Sequence, residues 1–181
     1  MFFWFYLGRG ILFKVNYADG SNILIMAKKI YIETSVPSFY YETRSEPEMI
    51  AMRHWTRDWW DHHAHKYELV TSEAVFEELN EGDYPIKDDA LALIEALPVL
   101  EVGRPVVEIV NAYVANKAMP KNPRGDALHL ALATYHKCDF LLTWNCNHLA
   151  NPNKFIHLSA VNALLGYLTP QLTTPFAMLG G

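Results

Sequence analysis

The sequence predicts an α/β sandwich built around a mostly parallel sheet. One observation is that short β-branched and aromatic runs alternate with longer segments whose apolar residues recur at helical spacing. The other is composition: 51% hydrophobic against 19% charged residues give a chain of 181 residues a core of its own. Disordered tails, collagen-like fibres and low-complexity linkers are excluded by the same figures.

The elements follow in order. Ile30 to Ile32 is a strand that ends at Glu33. Thr34 and Ser35 are expected to cap the turn after it, and Pro37 fits a loop or a first helical turn. Glu46-Pro47-Glu48 opens a long helix to about His65, with Met49, Met52, Trp55, Trp59 and Trp60 as its apolar stripe. Exposed tryptophans on that helix would need covering, which predicts a homodimer interface. Glu68 to Thr71 is a second strand, and Ser72 is expected to cap the helix that follows. Pro85 to Leu97 reads as a helix and Val99 to Val102 as a third strand. Two further helices, Pro105 to Lys117 and Arg124 to Lys137, are separated by the break from Met119 to Pro123. Asp139 to Thr143 is the fourth strand, with Asp139 in a structural role.

Residues 1–27 stand apart as an extension, loosely held or belonging to an upstream start, and residues 28–181 form the domain. The rival expectation is an added edge strand or a partner-binding segment. Phe2 to Leu7 is apolar, but Gly8-Arg9-Gly10 interrupts the run far short of the ~20 residues a spanning helix needs. No secretory-signal pattern is present. Asp19-Gly20 is expected to form a turn. Two cysteines, Cys138 and Cys146, are too few for a disulfide-stapled domain, so a reduced cytoplasmic setting is expected. Twenty acidic against 15 basic residues leave a net charge of -5, which argues against coating nucleic acid by bulk electrostatics. A local basic groove remains open to Lys117, Lys121 and Arg124, which lie shortly before Asp126 and could guide an RNA backbone.

In parallel sheets functional groups gather outside the carboxyl ends of the strands. Glu33 ends the first strand, Asn145 lies just past the fourth, Glu78 sits on the helix after the second, and Asp126 opens a helix whose dipole favours a carboxylate. If the fold brings Glu33, Glu78, Asp126 and Asn145 together, they form an oxygen-rich set suited to Mg²⁺ or Mn²⁺ rather than Zn²⁺. Such an ion would serve phosphodiester hydrolysis. His129, one helical turn from Asp126, is expected mainly as a hydrogen-bonded packing residue that could reach the site. His54, Asp58 and His62 lie four apart on one helix, as do Asp61 and His65, and a solvated polar face is the expected reading there.

Four segments resemble the PIN-domain ribonucleases, in their VapC-type toxin branch, over about residues 28–179. They are Ile30 to Ser35, Thr71 to Leu79, Gly125 to Ala131 and Asp139 to Leu149. The resemblance implies a PIN-like α/β/α sandwich and a metal-dependent endoribonuclease. It also implies an RNA substrate, a cognate antitoxin and a dimeric state. By position Glu33 takes the place of an acid more often Asp, while Glu78 and Asp126 match the second and third acids. Asn145 and Asn147 fall where the family usually carries further acids. Glu33, Glu78 and Asp126 would then hold the ion and Asn145 help to place it. The departures leave open a PIN-fold binding or regulatory protein without turnover, or an RNA-processing nuclease without an antitoxin.

Overall fold

The computed structural model describes residues 3–7, 11–18, 21–81, 84–119, 125–145 and 152–180. Five parallel strands form the central sheet: β4 (Lys29–Ile32), β5 (Glu68–Ser72), β6 (Val99–Leu100), β7 (Phe140–Leu142) and β8 (Gln171–Thr173), in the order β6-β5-β4-β7-β8. The strand in the middle is the first of these to be made. Ile30, Tyr31 and Ile32 are all fully buried, the unbroken apolar run expected where both faces of a parallel sheet are covered. Tyr31 stands opposite Val70 on one side and Leu141 on the other.

The flanking helices are α1 (Ser35–Tyr40), α2 (Pro47–His62), α3 (Glu73–Asn80), α4 (Lys87–Ile94), α5 (Arg104–Ala115), α6 (Asp126–Tyr135), α7 (Pro152–Leu164) and α8 (Pro175–Leu179). They pack in two groups: α1 to α4 with α8, and α5 with α6 and α7. This is the expected α/β/α sandwich. None of the described helices is long and apolar enough to cross a membrane.

Several local expectations change. Thr34 and Ser35 do not cap: α1 begins at Ser35, which the sequence assigned to a connection, and both hydroxyls turn to carboxylates. Ser72 stands at the N-terminal boundary of α3, yet its Oγ bonds the Tyr31 hydroxyl at 2.7 Å. Helix α2 stops at His62, and residues Ala64–Lys66 form a 3₁₀ turn. Helices α5 and α6 end two residues earlier than their stripes suggest. Lys117 and Lys137 adopt left-handed backbone, φ 55° and 56°. The next amides reach back across the last turn, Ala118 to the Tyr113 carbonyl and Cys138 to that of Ala133, both at 2.9 Å. That is a Schellman stop with lysine where glycine is usual.

The tryptophan stripe is used inside the chain. Trp59 is fully buried. Trp55 lies 4.5 Å from the Phe176 ring on α8 and 6.2 Å from Trp144, while Trp60 meets Tyr40 edge-on. Trp59 thus offers nothing to an interface, while Trp55 and Trp60 stay half-buried. Beyond Asn145 the sequence reading assigns no element. There α8 is held at its start by Pro175 and by the Thr174 hydroxyl, which accepts from the Ala177 amide at 3.1 Å.

Residues 1–27 contribute a sheet of their own. β1 (Phe3–Leu7), β2 (Ile11–Ala18) and β3 (Ser21–Met26) form an antiparallel meander, with Ala18 opposite Ser21. It is separate from the five-stranded sheet. The expected turn at Asp19-Gly20 lies outside the described residues.

Candidate metal centre

Parallel pairing lines up the carboxyl ends of β4 and β7. Ile32 stands opposite Leu142, and the Glu33 amide continues the ladder to the Leu142 carbonyl at 3.2 Å. Glu33 and Thr143 therefore leave their strands side by side, and the Thr143 hydroxyl donates to Glu33 Oε2 at 2.8 Å. The same oxygen accepts from the Ser35 hydroxyl at 2.5 Å and the Ser35 amide at 3.1 Å. Ser35 Oγ in turn accepts from the Trp144 amide at 2.8 Å. All three donors to Glu33, the Thr143 and Ser35 hydroxyls and the Ser35 amide, fall on Oε2. Glu33 is only 8% exposed, and the convergence fixes its carboxylate from one side.

Glu78 comes from α3, which follows β5 in the sheet. Its carboxylate accepts from the Thr34 hydroxyl, and His129 Nε2 lies 3.1 Å from each of its oxygens. His129 is 1% exposed. On its far side Nδ1 is 2.7 Å from the Tyr31 hydroxyl, which reaches Ser72 Oγ at 2.7 Å. A chain of four side chains thus runs Ser72–Tyr31–His129–Glu78 from the sheet to the site.

The charges at this corner act on one another. Burial pushes the His129 pKa down, but the Glu78 hydrogen bond and the charges of Glu33, Glu78 and Asp126 more than offset it, so the net shift is upward. Burial pushes Glu78 up, and its bonds to His129 and Thr34 bring it below the usual carboxylate value. Burial also raises the Tyr31 phenol well above its ordinary value, so it stays a hydroxyl.

Ligand atoms of Glu33, Glu78 and His129 all lie within 4.8 Å of one another. Among the described residues no other set of three acidic, histidine or cysteine side chains converges so closely. Asp126 does not join this trio. It opens α6 after Gly125, whose φ of 101° suits a residue without Cβ, and its Oδ1 accepts from the Asn145 amide at 2.8 Å. The Asn145 backbone N–H donates to Thr143 Oγ1 at 2.9 Å. The four expected residues thus form two linked pairs, Glu33 with Glu78 and Asp126 with Asn145, joined through Thr143.

Lys117 is exposed at its left-handed stop, while Lys121, Arg124, Cys146 and Asn147 lie outside the described residues. The histidines and acids along α2 form no such trio. Asp58 and His62 approach only to 3.9 Å, and both are exposed. Asp139 is structural, its Oδ2 accepting from the Lys29 amide at 2.8 Å where β4 and β7 begin. Sequence reasoning missed Thr143, Thr34, Ser35 and the Tyr31–Ser72 support. For Thr34 and Ser35 the signal was adjacency to Glu33. For Thr143 it was the matching end of the fourth strand, legible only once β4 and β7 are known to be neighbours. Comparison of the chain with protein-family models, with curated proteins and with solved structures gave no match.

Proposed function

We propose that the protein is a metal-dependent endoribonuclease of the PIN type, acting as the toxin of a toxin–antitoxin pair. The observation that supports this most is the convergence of Glu33 and Glu78 with the Asp126–Asn145 pair close by, at the carboxyl edge of a parallel sheet. The carboxylates suit Mg²⁺ or Mn²⁺, and the hydroxyls and amide that grip Glu33 Oε2 are the support such ligands need. A divalent ion held there supplies polarisation of the phosphodiester and a more acidic bound water. Glu33 and Glu78 are its main holders. Asp126 adds charge from the start of α6, and Asn145 orients Asp126. Lys117, Lys121 and Arg124 are proposed to meet the RNA backbone. The reading includes a homodimer, for which the exposed Ile156, Leu164 and Leu168 provide apolar surface.

A second reading has one observation in its favour. Asn145 spends its amide on Asp126 and adds no negative charge, which suits a regulatory PIN-fold protein without turnover. Incubating the full chain with labelled RNA and Mg²⁺ or Mn²⁺, with and without chelator, separates the two. Chelator-sensitive cleavage that Asp126→Asn lowers at least ~100-fold supports the nuclease. Metal binding without cleavage selects the second reading. Growth arrest on expression of the wild type but not of Asp126→Asn tests the toxin role.

A further inference from the structure

We infer that His129 Nε2 is itself a metal ligand, which makes this a mixed nitrogen–oxygen site that prefers Mn²⁺ to Mg²⁺. The inference rests on the metal-site reading above and adds to it a ligand from the middle of α6. The spacing carries it. Two adjacent ligands at about 2.1 Å from an octahedral ion, at right angles, stand about 3.0 Å apart. Nε2 and each Glu78 oxygen are 3.1 Å apart, and an oxygen of Glu33 lies within 4.8 Å of both partners. His129 is thus spaced from Glu78 as a neighbouring ligand would be, whereas Asp126 lies outside the trio.

The far side of the ring is built as metal-binding imidazoles require. Ligation by Nε2 needs the proton on Nδ1 and an acceptor to hold it there. The Tyr31 oxygen lies 2.7 Å from Nδ1 and can pass its own hydroxyl proton towards Ser72 Oγ, also at 2.7 Å. Because each hydroxyl both donates and accepts, the chain can run in either direction. With the ion absent, Nε2–H donates to Glu78. Binding an ion displaces the Nε2 proton to solvent and leaves Nδ1–H donating to Tyr31, which donates to Ser72 Oγ.

An imidazole ligand shifts preference from the hard, oxygen-seeking Mg²⁺ towards first-row transition ions. The test uses the full chain and Mn²⁺ alone, with nitrogen coupling in the pulsed electron paramagnetic resonance spectrum as the readout. Expected is a histidine nitrogen signal in the wild type that persists in His54→Ala and His62→Ala and disappears in His129→Gln. Tyr31→Phe, which keeps the ring, should weaken Mn²⁺ binding ~10-fold while retaining the signal. His129→Gln should weaken Mn²⁺ more than Mg²⁺, narrowing the wild type's preference. Bound Mn²⁺ without nitrogen coupling in the wild type overturns the inference even if His129→Gln does not fold. So does coupling that survives in a folded His129→Gln. Either result leaves metal-dependent cleavage standing. Absence of any Mn²⁺ or Mg²⁺ binding removes both this inference and the metal-dependent reading beneath it.

Discussion

At the scale of single residues, the molecule repeatedly gathers donors around a carboxylate. Glu33 takes its three on one oxygen. Away from the site, Glu42 accepts from the Thr43 and Arg44 amides at 2.9 Å and from the Arg44 guanidinium at 2.5 Å. The Arg44 bond, against a smaller opposing effect of burial, holds the Glu42 carboxyl down at about 2 from an ordinary 4.5. A depressed pKa stabilises the fold fully above the unfolded value and progressively less as pH falls towards the folded one. Acid titration of thermal stability should therefore show a loss between about pH 4.5 and 2 that Glu42→Gln makes shallower. An unchanged slope would show that Glu42 is not held in this way. Asn145→Asp should act in two directions. It replaces a donor at 2.8 Å from Asp126 with a second carboxylate, so the ion-free protein should lose about 1.5–3 kcal/mol. Mn²⁺ should recover that loss and bind more tightly than to the wild type, as calorimetry and melting curves can check. Glu33, Glu78, Asp126 and Asn145 were legible because each sits at the end or on a turn of a locally recognisable element. Tyr31, Ser72 and Thr143 were not. Their partners lie 98, 41 and 110 positions away, and no local periodicity records such distances.

At the scale of elements, β4 to β7 and the long helices were recovered, while their ends, the three N-terminal strands and the C-terminal elements were not. A stripe of apolar residues fixes which face of α5 is buried, but Lys117 and Lys137 continue a helical pattern while their backbones reverse it. Lysine gives no sequence sign of a left-handed stop, so the stripe overruns. Strand β8 has only three residues, too few for alternation to register. The Schellman stops also make a test. A non-glycine residue in left-handed backbone is strained, and glycine removes that strain at the cost of a more flexible unfolded chain. Lys117→Gly should stabilise the protein by about 0.5–1 kcal/mol in denaturant unfolding. If Lys117 also meets RNA, the same change should weaken binding and reduce its salt dependence. Stability and RNA affinity would then move in opposite directions, a pattern that loss of folding cannot imitate.

At the scale of the whole molecule, two sheets share one chain but no strand pairing. A chain starting at Ala27 should keep a single cooperative unfolding transition and the metal-dependent rise in melting temperature, and lose only the meander's share of the β signal in circular dichroism. Loss of cooperativity on that truncation would make β1 to β3 part of the core. The sheet order has a further consequence, which concerns synthesis. Because β4 lies between β5 and β7, its two neighbours reach it at different times as the polypeptide lengthens. A nascent chain complete through α4 already contains Glu33 and Glu78, but not Thr143, His129 or Asp126. The Glu33–Thr143 bond spans 110 residues. At ~5–20 residues per second, translation separates its two ends by roughly 5–20 s. Closing that long loop then costs entropy that only the completed β4–β7 pairing recovers. Under the nuclease reading, the ribosome translating its own message is thus spared an assembled cutting site until nearly the whole chain has been made.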